Sequence, residues 1–246
     1  MALPILYTLS LLLHGLVAWR LLPALDPAWA AGLAPVLLAS ALLLPMGLLA
    51  HRVAKGALAD RLAWVGLLCM GLFSSLLVLT ALRDVLLAAV WVVAALGWSS
   101  AQALLPDLRA DSALVVPLVA LLVTVLGFWN ARRTARVVRV DVPVAALPAA
   151  LEGFTVAQIT DIHVGPTIKQ HYLQAIVRKV NALEADMVAI TGDLVDGKVH
   201  ELAVHVAPLA QLRSRHGSFF VTGNHEYYSG AHAWVDELRR LGVQVL

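Results

Sequence analysis

The chain has 246 residues, 60% of them hydrophobic and only 14% charged, with a formal net charge of +2. A mean hydropathy of +0.81 is too apolar for an ordinary soluble domain, and so small a net charge leaves no electrostatic footprint for nucleic acid. The single cysteine, Cys69, lies inside an apolar run, which excludes an intramolecular disulfide and a cysteine-based zinc site.

The apolar excess is uneven. It fills residues 1–131, a membrane part, while acids and histidines gather after residue 150. Residues 3–22 form a first run that ends in Trp19 and Arg20, an interfacial aromatic followed by a cation. A cleaved signal peptide is the alternative; the missing basic n-region and the further runs weigh against it. Residues 33–50 form a second run, closed by His51, Arg52 and Lys55, and residues 62–82 a third. Residues 113–130 form a fourth, closed by Trp129 and then by Arg132, Arg133, Arg136 and Arg139. Each is near the length of about 17–25 residues that a spanning helix needs.

Residues 85–97 are apolar but short, and Arg83-Asp84 separates them from the third run. They read as a fifth, imperfect span, as a continuation of the third helix past the bilayer edge, or as an interfacial segment. Arg83 and Asp84 then form an ordinary helix-end pair, with an intramembrane ion pair as the lesser reading. With four spans, the 51–61 loop and the segment after Trp129 share a side, which collects seven of the basic residues. The positive-inside rule puts that side, the N-terminus and the C-terminal part in the cytoplasm of a cell with the chain in its inner membrane. The spans carry no ladder of acids, so transport chemistry is not indicated.

After the basic stretch, Val137 to Val142 alternates Val with Arg or Asp and predicts a strand, and 143–153 is a Pro-punctuated linker. From 154 the pattern changes. An apolar strand runs to Ile159 and stops at Asp161, Ile162 and His163. In an extended chain residues two apart point to the same side, so the carboxylate and imidazole are expected to project together. Thr167 is the expected cap of a helix over 168–183. A buried strand, 187–190, ends in Thr191-Gly192-Asp193. A helical segment follows at about 199–213, bent at Pro208. A third strand, 218–222, ends in Gly223-Asn224-His225-Glu226. A third helix is expected over about 230–241, capped by Gly242, and Val243 to Leu246 begins another strand.

Strands alternating with helices favour a parallel sheet, in which ligands gather at the carboxyl ends of the strands. Here three successive strand ends offer oxygen or nitrogen donors, the donor types that hold divalent metals. Asp-x-His, then Gly-Asp, then Gly-Asn-His-Glu, in this order and context, resembles the calcineurin-like metallophosphoesterases. The fuller strings QITDIHVG, ITGDLVDG and VTGNHEYYSG resemble their bacterial membrane-anchored branch. The resemblance covers about 137–246 closely and the membrane part only in general plan.

What the resemblance implies is a four-layer α/β/β/α sandwich and a hydrolytic site with two divalent ions, manganese, iron or zinc. Asp161 and His163 would hold the first ion, Asp193 would bridge both, and Asn224 would bind the second. His225 would protonate the leaving oxygen or stabilise the transition state, and Glu226 would orient His225. Tyr227 and Tyr228 line a substrate pocket or pack on the sheet. The remaining histidines read as ordinary core or surface residues.

The family pattern continues with a second half-sandwich whose histidines complete both metal shells. This chain has no histidine after His232. The expectation is therefore the N-terminal portion of the domain, in a fragment or truncated product, with the last strand left at an unpaired edge. The chain reads as a bilayer-embedded, multi-pass α-helical protein followed by an α/β phosphoesterase portion acting on a phosphorylated small molecule or a lipid-linked substrate. The rival reading is a catalytically inactive membrane protein that retains a partial metal site.

Overall fold

The structure, a computed structural model, describes residues 2–246 and divides into two compact units, 1–132 and 133–246.

The first unit is helical. Helix α1 spans Ala2–Leu21, α2 Pro27–Leu48, α3 is one turn at Ala50–Val53, α4 spans Gly56–Ala95 and α5 Ser99–Ala131. Four of these, all but α3, are long and apolar enough to cross a membrane. Asp26 starts α2 by accepting the Ala28 amide, with Pro27 in the first turn where its missing N–H costs nothing. Helices α2 and α4 cross where Gly47 faces Gly66, and a Cβ on either would overlap the other's backbone. Such close approach lets dispersion replace the hydrophobic drive that lipid does not supply. Val17, Leu37, Phe73, Leu76 and Val116 form the centre of the unit. His14 is buried there, hydrogen-bonded to the Ser10 carbonyl and the Ser40 hydroxyl and stacked on Phe73 at 3.6 Å.

Residues 85–97 continue the third span, one of the expected alternatives: α4 is unbroken for 40 residues. Arg83 and Asp84 are not a helix-end pair. The Arg83 guanidinium is buried and donates to Ser112 Oγ and to the Arg20 and Arg109 carbonyls. Asp84 accepts two bonds of 2.8 Å from Arg20. The cluster joins the end of α1 to the middle of α4 and to α5. With every charge partnered, the helix has no reason to stop there.

The second unit holds one parallel sheet. Strand β1 is Val156–Ile159, β2 Met187–Thr191, β3 Ser218–Val221 and β4 Gln244–Val245, in the spatial order β1-β2-β3-β4. The register pairs Val156 with Met187, Val188 with Ser218 and Phe219 with Gln244. Helix α6 (Gln170–Asn181) joins β1 to β2. Helix α7 (Val199–Val206) and a 3-10 turn (Ala207–Gln211) join β2 to β3. Helices α8 (Asn224–Ser229) and α9 (Ala231–Arg240) join β3 to β4. Because strand order follows chain order, right-handed crossovers put these helices on one face of the sheet. Ala157, Ile159, Val188, Ile190 and Phe220 are buried under them with Leu173, Val177 and Trp234. Of the intervening strand residues, Val156, Gln158 and Val221 are exposed and Met187, Ala189, Thr191 and Phe219 are half-buried. A parallel sheet covered by helices, after four apolar helices, is the expected multi-pass helical region followed by an α/β domain.

Two local expectations are corrected. Residues 137–142 form no strand, and Val138, Val140 and Val142 are exposed; β-branched residues favour a strand only where a ladder partner exists. Helix α6 starts at Gln170 after Lys169 rather than behind Thr167. The third helix is where the spacing puts it, as α9, and a short helix the sequence did not suggest, α8, precedes it; Gly230, at φ 98°, separates the two.

Candidate active site

All the chemistry lies beyond the carboxyl ends of β1, β2 and β3. Past Ile159 the backbone leaves the strand conformation, and Asp161, His163 and Asp193 have φ of 53°, 52° and 50°. The left-handed region is costly for residues other than glycine, though Asp and His enter it more readily than most. The two loops hold each other there: the Asp161 amide donates to Gly192 O, His163 to Asp193 O and Val164 to Leu194 O. The convergence of Asp161 and His163 therefore comes from paired strained loops, not from the pleat of an extended strand as the sequence suggested. Such strain persists only where surrounding structure enforces it.

Two glycines make room. A Cβ on Gly192 would lie 2.6 Å from the Gly223 nitrogen, and one on Gly223 would overlap the Asp193 carboxylate. The loops after β2 and β3 thus pass closer than any side chain allows. Helix α8 begins at once after Gly223, and the His225 amide donates to Asp193 Oδ1 at 3.0 Å.

One donor atom each from Asp161, His163 and Asp193 lies within 4.8 Å of the others. The sequence named all three. Asn224 is the first residue of α8, between Gly223 and His225, whose backbones both approach the Asp193 carboxylate. Carboxylate oxygens with an imidazole suit manganese, iron or zinc, and loops too tight for a Cβ bring these donors together without a side chain between them. The residues present fit a divalent metal.

His225 is half-exposed and does not pair with Glu226. Its Nδ1 lies 2.7 Å from Asp196 Oδ1, and the Nδ1 of His163 lies 2.9 Å from the same oxygen. The two rings meet edge to face at 4.5 Å. Each ring donates its Nδ1–H to the carboxylate, which leaves Nε2 as its free atom, the usual way a carboxylate fixes a working imidazole. Glu226 does something else. It is fully buried and accepts from the backbone amides of Asp193, Leu194 and Val195 and from Gly223 at 2.7 Å. The expected orienting role of Glu226 is corrected: it ties the β2 loop to the β3 loop, and Asp196 orients the histidines. Asp196 was visible as the second acid of ITGDLVDG, three residues after Asp193. Nothing in the sequence said that it faces two rings on other loops.

The His163 imidazole is pushed down by burial. The hydrogen bond it donates to Asp196 and the charges of Asp196, Asp193 and Asp161 outweigh that and hold its pKa above the ordinary value. Beside His225 a cavity of about 370 Å³ is lined by Asp196, Lys198, Glu201, Tyr228 and Ser229. Tyr228 meets the His225 ring edge-on at 5.8 Å, so of the two tyrosines it is the one that lines this cavity. On the far side, the buried Trp234 indole donates to Gly197 O and pins α9 under the loop after β2.

The family model for the calcineurin-like phosphoesterases matches residues 154–244. A "Transmembrane protein with metallophosphoesterase domain" of Bos taurus is 44% identical over 135 residues, 53% of this chain and 30% of that protein. Its namesake in Danio rerio is 40% identical over 130 residues, 52% of this chain and 30% of that protein. A UDP-2,3-diacylglucosamine pyrophosphatase of Chlamydia muridarum is 35% identical over 80 residues, 32% of this chain and 24% of that protein. Vertebrate as well as bacterial proteins match, so the resemblance is wider than a bacterial branch. The chain spans about 30% of the length of the vertebrate relatives. No solved structure matches it. Residues 154–244, which carry the donor loops, are thus similar to the calcineurin-like phosphoesterase domain.

Proposed function

We propose that this chain contributes the metal-binding half of a membrane-bound hydrolase of phosphate esters or phosphoanhydrides. The observation that carries the reading is the convergence of Asp161, His163 and Asp193 donors within 4.8 Å, with His225 held beside them by Asp196. Asp161, His163, Asp193 and Asn224 are the residues that would hold divalent ions, with Asp193 shared between them. When bound, such ions would supply an activated water and neutralise phosphoryl oxygens. His225, steered through Nδ1 by Asp196, presents Nε2 and, as the doubly protonated imidazolium, gives the Nε2 proton to the leaving oxygen. The cavity beside it receives the leaving group.

The same chain carries four helices apolar enough to cross a bilayer, and one relative is named as a UDP-2,3-diacylglucosamine pyrophosphatase; a lipid-linked phosphoanhydride is the proposed substrate class. Arg52, Lys55 and Arg61 with Arg132, Arg133, Arg136 and Arg139 favour the cytoplasmic face of the inner membrane for the site. The test is hydrolysis by the manganese-loaded protein in mixed micelles. A lipid-linked pyrophosphate should turn over faster than a soluble chromogenic diester, and His225→Ala should lose at least about 100-fold, the scale of a general acid. Equal turnover of the soluble ester would sink the lipid assignment alone.

A further inference from the structure

The first unit contains its own ruler. In α4, Trp64 and Arg83 are 19 residues apart, about 29 Å along a helix, and in α5 Arg109 and Trp129 are 20 apart, about 30 Å. Both spacings equal the hydrocarbon thickness of a bilayer. Trp64 and Trp129 form one aromatic belt, and Trp19 and Trp29 mark the other, where α1 ends and α2 begins. The bonds among Arg20, Asp84 and Arg83 lock that second level across α1 and α4.

Helices α4 and α5 do not stop there. From Arg83 to the end of α4 at Ala95 is about 18 Å more. A headgroup layer is about 5–7 Å deep, so the tip of the α4–α5 hairpin stands roughly 10 Å beyond it. The hairpin is closed tightly: Gly97 donates to Ala94 O and the Gln102 side chain to the same carbonyl. No charged residue occurs from Val85 to Pro106. Leu96 is 75% exposed, Trp98 66% and Trp91 58%, with Val85, Leu86 and Leu104 also exposed. A helix apolar on every side is covered by protein or lipid, and the ruler puts this one beyond its own lipid.

We propose that the hairpin is a self-association surface, packing against the same hairpin of a second copy to form a four-helix bundle outside the membrane. Three features select a second copy. The exposed side chains offer on the order of 800 Å² of apolar surface, what one partner of a standard interface buries and more than a monomer usually leaves in water. The hairpin carries both a groove of about 340 Å³ between its helices, beside Val93 and Leu104, and protruding indoles to fill one. Finally, the bilayer holds every copy upright at one height, so like hairpins meet in register and a two-fold contact closes. An uncharged surface gives a water-soluble partner no electrostatic guide.

The test uses the full chain in lipid nanodiscs and proteoliposomes, with Cys69→Ala as background. Leu96→Cys should give a disulfide-linked dimer on mild oxidation, while Val123→Cys, within the membrane span of α5, should not. Trp91→Glu with Leu96→Glu should shift the protein from dimer to monomer by single-molecule photobleaching, with helicity unchanged by circular dichroism. A monomer in the unsubstituted protein, or a Leu96→Cys that never links, overturns the proposal. So does quenching of a fluorophore at position 96 by brominated acyl chains, which would show that lipid covers the tip.

Discussion

One oxygen of Asp196 accepts from two histidines: His225 Nδ1 at 2.7 Å and His163 Nδ1 at 2.9 Å. The carboxylate thus couples the proposed acid to a proposed metal ligand. Removing it frees both rings to turn. Asp196→Ala is expected to weaken manganese binding by about 10–100-fold, the usual cost of losing a carboxylate behind a ligating histidine, with melting little changed because Asp196 is a surface loop residue. Calorimetric titration with manganese reads the first quantity and thermal denaturation the second. Unchanged affinity would mean that His163 does not ligate through the ring that Asp196 holds.

Glu226 makes the opposite prediction. Its carboxylate is buried and collects four backbone amides from two loops. A glutamine keeps one acceptor and turns two N–H groups toward amides that also donate. Glu226→Gln should therefore destabilise the second unit by about 3 kcal/mol, the scale for breaking buried charge-assisted bonds. Denaturant melting is the measurement. A residue that merely oriented His225 would leave the midpoint where it was.

Gly223→Ala places a methyl group on the Asp193 carboxylate and near the Asp193 nitrogen. Either the carboxylate swings out or the β2 and β3 loops part. Overpacking of this kind costs about 1–3 kcal/mol, but the larger effect should be on metal: the bridging donor leaves the cluster. Manganese content after dialysis should fall below half that of the unsubstituted protein. Retention of full metal with only a lower melting point would argue against a bridging Asp193.

Much of this was legible because it is local. The donor residues stand at strand ends marked by apolar runs, and the α9 face with Trp234 and Leu238 follows helical spacing, so both can be read along the chain. What escaped is non-local. Asp196 was visible as an acid, but its partners come from loops 29 and 33 residues away. Glu226 looked like a neighbour's helper because sequence adjacency hides that its carboxylate turns back into the core. Val137 to Val142 has strand propensity and no ladder to join among the described residues. Arg83-Asp84 looked like the end of a span because the sequence cannot show Arg20 and Ser112 arriving from other helices to satisfy the charges.

Asp186 supplies a pH test away from the metal loops. Its carboxylate accepts from the Thr155 amide and the Thr155 hydroxyl, both at 2.9 Å, and so fastens the approach to β1 against the start of β2. Those two hydrogen bonds, helped by the charges of Arg215 and His216, hold its pKa below the ordinary carboxylate value. A carboxylate depressed in the folded state binds its proton more weakly there than in the unfolded chain. Its stabilisation is therefore complete above the unfolded value of about 3.9 and is lost as pH falls through the folded one. Asp186→Ala should melt below the unsubstituted protein at pH 7, and the gap should close as both are titrated below about pH 3.5. A gap that stays constant into acid would mean that the side chain contributes packing rather than charge, and that the approach to β1 is held by something other than this clamp.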